Sequence, residues 1–271
     1  MKGNSRVKTV LSLLVTSLAL APAAAAQAPA TPTPPEDAAI SARIDSGLTY
    51  KGRSYVVKGD QALVRGTLKP AVPGQKVVVE LFRHGKKIAQ ATRNVRSDGT
   101  FQAKVRAQRD GALALWVTHK KTDQQKQANA RLGLTAIVPS AHMGSHGTKV
   151  RLLEAGLAKL GYVTTRGPHF TAATARAVIA FRKVNKMARI TTASKTVFRM
   201  LFAGKGGFSL RYPSAGPGGK HVEFDWSRQV LVLARGGAPE RIYHASSGKP
   251  STPTVFGTFH FNRRQAGTNH L

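Results

Sequence analysis

The chain has 271 residues, 42 Lys plus Arg against 12 Asp plus Glu, a formal net charge of +30 and no cysteine. Such a length leaves room for two or three small domains. The lack of cysteine excludes disulfides, thiolate metal ligands and a thiol nucleophile within these residues. The charge excess favours non-specific binding to polyanions. Its spread over the whole length argues against a nucleic-acid groove reader, as does the absence of interleaved aromatic and basic residues.

Residues 1–26 read as a secretion signal. Lys2, Arg6 and Lys8 form a positive start, Val10 to Ala21 an apolar run, and Ala23 to Ala28 a small-residue cleavage region. An uncleaved membrane anchor is the lesser reading, because a run of about a dozen apolar residues falls short of the roughly 20 that span a bilayer. No later segment is apolar enough to span, so no transmembrane segment is expected after signal cleavage. Outside the cytoplasm the available polyanions are cell-wall polymers and anionic lipid surfaces. Residues 27–44, rich in Ala, Pro and Thr with Glu36 and Asp37, read as an extended tether.

From 45 to 139 the pattern is one of short strands. The run Lys76 to Phe82 ends at a His84-Gly85 turn, Phe101, Ala103 and Val105 alternate after Asp98-Gly99, Ala112 to Val117 follow Asp110-Gly111, and Leu132, Leu134, Ala136 and Val138 alternate again. Regular strands with Gly-containing turns predict an immunoglobulin-like β-sandwich. The stretch Asp60 to Gly66, with Pro70 and Pro73-Gly74, reads as its first hairpin, and Tyr55, Phe82 and Trp116 as core.

Helices begin near Thr148. Val150, Leu153, Leu157 and Leu160 recur on one helical face before Gly161. A second helix starts at Thr171 and buries Ala177, Val178, Phe181 and Val184, and a third runs from about Thr192, read as its N-cap, through Val197, Met200 and Leu201. The order Val150-Arg151-Leu152-Leu153, Leu160-Gly161-Tyr162 and Thr174-x-x-Ala177-Val178-x-x-Phe181 resembles the peptidoglycan-binding domain 1 family, a three-helix wall-binding module, over about Gly147 to Phe202, and the helical module is bounded at 147–205. Two positions depart from that pattern: Arg182 stands where the family has Gln, and Gly167-Pro168-His169 replace an acidic residue before the second helix. His142 and His146 are four apart but lie in a glycine-flanked linker without a nearby acidic partner, so they are not assigned to a metal.

The last segment, 211–271, carries the most informative pattern. Val222, Phe224 and Trp226 alternate in a first strand, Val230 to Ala234 make a second, Arg241 to Ala245 a third, and Gly257 to Phe261 a fourth after a Pro253 turn. The order Lys220-His221-Val222-Glu223-Phe224-Asp225, Ser227 to Val232, Ser247-Gly248-Lys249-Pro250-Ser251-Thr252-Pro253-Thr254 and Gly257-Thr258-Phe259 resembles the opening half of an L,D-transpeptidase catalytic domain of the YkuD type. The resemblance implies a β-rich domain. It also implies, for complete members, a cysteine thiolate that attacks a stem-peptide carbonyl and a thioester resolved by a neighbouring amine to form a crosslink. That cysteine sits in a Ser-His-Gly-Cys-Arg-like motif beyond the matching segment.

The expectation is therefore a multidomain, mainly β protein: an immunoglobulin-like sandwich, a small three-helix peptidoglycan-binding-like module and the N-terminal half of an L,D-transpeptidase domain, truncated before the nucleophile. No catalytic, cofactor-binding or metal residue is assigned. His221, His244, His260 and His270 precede the family's motif, and Ser246 and Ser247 lack a Ser-His-Asp arrangement. The chain reads as a secreted, wall-associated protein that partners peptidoglycan and anionic wall polymers and no specific nucleic acid. It is expected to be inactive as written; the alternative is a non-catalytic peptidoglycan-binding protein. Half a sandwich is expected to leave Val230, Leu231, Val232, Phe256, Phe259 and Phe261 partly exposed.

Overall fold

The computed structural model describes residues 34–249 and 251–260; the segment read as a secretion signal, most of the segment read as a tether, Phe261 and His270 lie outside them. The described chain is mainly β, with twelve strands and three α-helices. The strands are β1 (Ala39–Ile44), β2 (Leu48–Tyr50), β3 (Arg53–Val57), β4 (Gln61–Lys69), β5 (Lys76–Arg83), β6 (Lys86–Asn94), β7 (Thr100–Arg106), β8 (Gly111–His119), β9 (Ala128–Ile137), β10 (His221–Asp225), β11 (Val230–Arg235) and β12 (Ala238–His244). The helices are α1 (Thr148–Lys159), α2 (Ala172–Val184) and α3 (Lys195–Phe202). No described helix is long and apolar enough to cross a membrane.

The first nine strands form two sheets, β1-β4-β7 and β2-β3-β9-β8-β5-β6. Period-two alternation decides their faces. Val64 and Leu68 of β4 and Phe101, Ala103 and Val105 of β7 are buried with Val77, Val79 and Leu81 of β5 and Leu113, Leu115 and Val117 of β8 in one apolar core. Gly66 is dictated by this packing, since a Cβ there would collide with the Ser41 carbonyl and the Phe101 ring.

Three details differ from the sequence reading. Residues 39–44, assigned to the tether, form β1 and pair with β4 from Ala39↔Lys69 to Ile44↔Val64. Ile40, Ala42 and Ile44 pack on the core, and hydrogen bonding to β4 recruits a segment whose alanines make it look like linker. The stretch read as a first hairpin instead crosses between sheets, since β4 and β5 lie in different ones. Tyr55 is core, but Trp116 is 37% exposed on the outer side of the six-stranded sheet. Its ring is held there by Phe82, centroids 4.5 Å apart, and by the Arg131 guanidinium 4.5 Å from its centroid.

The helices share a second core with both neighbours. Leu48, Tyr55, Val57 and Ile137 from the six-stranded sheet join Val150, Leu153, Leu157, Val178, Phe181, Val197 and Leu201 from the helices, and Val230, Val232 and Ile242 from β11 and β12. The helix starts come from local chemistry. Thr171 caps α2 in a reciprocal capping box with Thr174. The N-cap of α3 is Ser194 rather than Thr192. Arg182, buried in α2, donates through Nε to Ala188 O at 2.6 Å and through Nη1 to Thr192 O at 3.2 Å, so it ties down the turn between α2 and α3.

The remaining sheet is an antiparallel meander, β10-β11-β12. The expectation that its strands lack a packing partner is corrected for two of them: Val230 and Val232 are both 0% exposed, because this face lies against the helices. Leu231 points the other way and is half-buried. Phe256 and Phe259 are 71% and 68% exposed. No strand forms over residues 257–260, where a fourth was expected.

Candidate functional site

The segment whose residues resemble a catalytic domain is the β10–β12 meander and the loop that leaves β12. Register places Glu223, Val232 and Ile242 in one row, and Phe224, Leu231 and Tyr243 in the next row on the opposite face. The buried member of β10 is Glu223, not the Val222 and Phe224 that the apolar alternation marks for the interior. The Glu223 carboxylate accepts from the backbone N–H of Arg211 at 2.9 Å, from that of Tyr212 at 2.8 Å and from His221 Nε2 at 3.1 Å. Burial would raise its pKa, but these donors outweigh burial and hold the carboxyl below its ordinary range. Its effect is to fasten the incoming segment to the sheet.

At the far end of the meander, polar groups from three elements converge. Lys183, buried on α2, places Nζ 2.9 Å from His244 Nδ1, 2.9 Å from Ala245 O, and 3.3 Å from both Gln229 O and Gln229 Oε1. Gln229 Oε1 also accepts from Arg189 Nη1 at 3.0 Å, and Gln229 Nε2 donates to Ser247 Oγ at 2.8 Å. The ammonium donates to Nδ1, so this geometry requires a neutral His244 with its proton on Nε2. Burial, then the charges of Lys183 and Arg176, lower the pKa of His244; burial, then Arg189, lowers that of Lys183. The loop beyond is a tight turn: Gly248 N–H donates to Thr254 Oγ1 at 2.6 Å, and a Cβ at Gly248 would collide with the Thr252 carbonyl.

This cluster holds a base-like imidazole and a lysine but, among the described residues, no nucleophile paired to either. Ser247 accepts a bond from Gln229, and His244 is occupied by Lys183. His221 serves Glu223, and His260 is exposed at the end of the described residues. In the linker, His146 faces His169, with ring centroids 6.4 Å apart, while His142 Nδ1 lies 2.9 Å from Met143 O. The sequence reading missed Lys183 and Gln229 because only the fold brings residues 46 positions apart together.

Acidification tests the junction. Unfolded His titrates near 6.5, and folded His244 below it, so the unfolded chain holds more protons in that window. Its contribution to stability is complete above about pH 6.5 and is lost as pH falls through the folded value. Glu223 follows lower down: its contribution is present above the ordinary pKa of 4.5 and is lost below it, through its depressed value. Thermal melts between about pH 2 and 8 should fall in two steps on acidification, and His244→Gln should remove the upper step alone. A single step unchanged in His244→Gln would show that His244 does not govern the junction.

No family model matches the chain, and no curated protein matches it. Among solved structures, a crystal structure of residues 123–326 of an L,D-transpeptidase from Xylanimonas cellulosilytica DSM 15894 aligns at 30% identity over 45% of this chain and 58% of that one, with a TM-score of 0.38. The chain thus spans 58% of the length of that relative. The solution structure of a CARDB domain from Pyrococcus furiosus aligns at 12% identity over 38% of this chain and 99% of that one, with a TM-score of 0.24.

Proposed function

We propose that the chain is a secreted, wall-associated protein of the L,D-transpeptidase family, in which an immunoglobulin-like sandwich and a peptidoglycan-binding-like helical module support a catalytic-type β segment. The observation that carries this reading is the ordered run from Lys220 to Phe259, with His221–Asp225 and Val230–Arg235 on adjacent strands and Ser247-Gly248 turning back on Thr254. The signal-like N-terminus and the +30 charge support an extracytoplasmic place among anionic polymers. Complete family members crosslink stem peptides through a cysteine thioester. These 271 residues contain no cysteine, so the chain as given forms no thioester.

The Val150 to Phe181 pattern on α1 and α2 supports a second reading, a non-catalytic peptidoglycan-binding protein. Reading the gene immediately 3′ of the Leu271 codon separates the two: an in-frame Ser-His-Gly-Cys-like run supports the enzyme, and an immediate stop supports the binder. The purified 271-residue chain is expected to release no terminal D-amino acid from stem peptides. Release that survives repurification and follows the chain's own elution profile would overturn the reading of its chemistry.

A further inference from the structure

A cleft of 480 Å³ opens where the β-layers meet α3, lined by Lys58, Gly59, Arg106, Gln108, Pro139 and Lys195. Three of these six residues are cationic and none is acidic. The walls are fixed by backbone bonds: Gly59 N–H donates to Ala107 O at 2.7 Å, Ala107 N–H to Asp60 O at 2.9 Å, and Lys58 N–H to Ile137 O at 2.9 Å. Asp60 clamps the third wall, taking the Arg199 guanidinium of α3 on both carboxylate oxygens.

Nearby carboxylates do not cancel the charge. Asp110 lies 2.8 Å from Lys58 Nζ, and Asp60, already held by Arg199, is 3.8 Å from Lys195 Nζ. Arg106 has no carboxylate within ion-pair distance among the described residues; its guanidinium donates only to the Gly59 carbonyl, at 3.4 Å. Counting Arg199, four cations face two carboxylates. Lys195 opens α3, whose Ser194 cap makes no side-chain bond and whose first turn holds no acidic residue, so the positive end of the helix adds to the field.

We propose that this cleft is an anion-binding site taking the phosphate or carboxylate oxygens of a wall polymer, with Arg106 as the bidentate donor and Lys58 and Lys195 flanking it. It localises an affinity that the overall charge would otherwise spread over the surface, and it depends on the wall-protein reading only for where the anion comes from.

Calorimetric titration of the whole chain with a glycerol-phosphate oligomer, and separately with a soluble disaccharide–stem-peptide fragment, tests it at about 0.1 M salt. The variant Arg106→Gln/Lys195→Gln is compared with Lys86→Gln/Arg93→Gln, which removes two exposed cations from the opposite edge of the six-stranded sheet. The expected result is at least a tenfold loss of affinity in the cleft variant and less than twofold in the control. Preference for the oligomer assigns the phosphate source, and preference for the fragment assigns the carboxylate. Equal losses in the two variants, or no binding of either probe, would overturn the site. A second readout needs no variant: the bound probe should protect Lys195, but not Lys86, from an amine-acylating reagent, and equal labelling of both refutes the proposal. None of these outcomes depends on transpeptidase ancestry, which the gene reading and the release assay test separately.

Discussion

Ile242→Ala should destabilise the helices and the C-terminal sheet together, by about 2–5 kcal/mol. Ile242 is 1% exposed and belongs to the apolar core shared by α1, α2, α3, β11 and β12. Its backbone adds to the joint, for its N–H donates to Gly161 O at 2.8 Å and its carbonyl accepts from Val163 N–H at 3.2 Å. Beside it Tyr162, 1% exposed, meets the Phe181 ring edge-on at 5.4 Å and donates its hydroxyl to Gly206 O at 2.7 Å. A truncated side chain leaves a cavity where three elements meet, so the loss cannot be confined to the sheet. Limited proteolysis reads this directly. In the wild type the first cuts should fall beyond Ala245, in the exposed stretch that carries Val255 and Phe256, and the helices should keep their sheet. In the variant, cutting should spread into residues 206–220. A wild-type product ending near 206–211, with the first two sheets and the helices unharmed, would show that the C-terminal sheet is an independent appendage.

Glu154→Ala should cost about 3 kcal/mol, which for a domain of this size lowers the melting temperature by roughly 6–12 °C. Glu154 is a carboxylate on α1 with 0% exposure. Its oxygens accept from Thr165 Oγ1 at 2.9 Å, from Thr174 Oγ1 at 2.5 Å and from the Gly167 backbone N–H. No basic side chain pairs with it among the described residues; hydroxyl and amide donors at the start of α2 take that part. Removing the acceptor orphans the Gly167 N–H and frees the loop between α1 and α2, while the two threonine hydroxyls can turn to new partners, which limits the loss. Glu154→Gln should fall between, since its amide nitrogen meets donors where an acceptor is needed. A melting temperature within about 1 °C of wild type for Glu154→Ala would mean that the loop holds itself.

Element types were largely readable from the sequence, because they depend on period. Lys76 to Phe82, Phe101 to Val105 and Ala112 to Val117 alternate over lengths that only strands fit, and Val150, Leu153 and Leu157 recur at a spacing that only a helix uses. What covers each face was not readable. Val230 and Val232 carry no mark of the helices that bury them, and residues 257–260 look strand-like but pair with no strand among the described residues. Polar burial was the harder loss. Glu154 on α1 reaches across to accept from Thr165, Gly167 and Thr174 around the start of α2, and Glu223 occupies the inner face of β10 in place of its apolar neighbours Val222 and Phe224. Neither placement leaves a local trace in the chain.

Three carboxylate acceptors also shape how this protein can vary. With 12 acidic residues against 42 basic ones, most single changes to a surface lysine or arginine alter a charge that has many neighbours of the same sign. Glu154, Glu223 and Asp60 have no such understudies, because each holds a loop or a helix that no other acid reaches among the described residues. Drift among descendants of this sequence should therefore be lopsided, with the basic surface turning over freely while these three carboxylates stay in place.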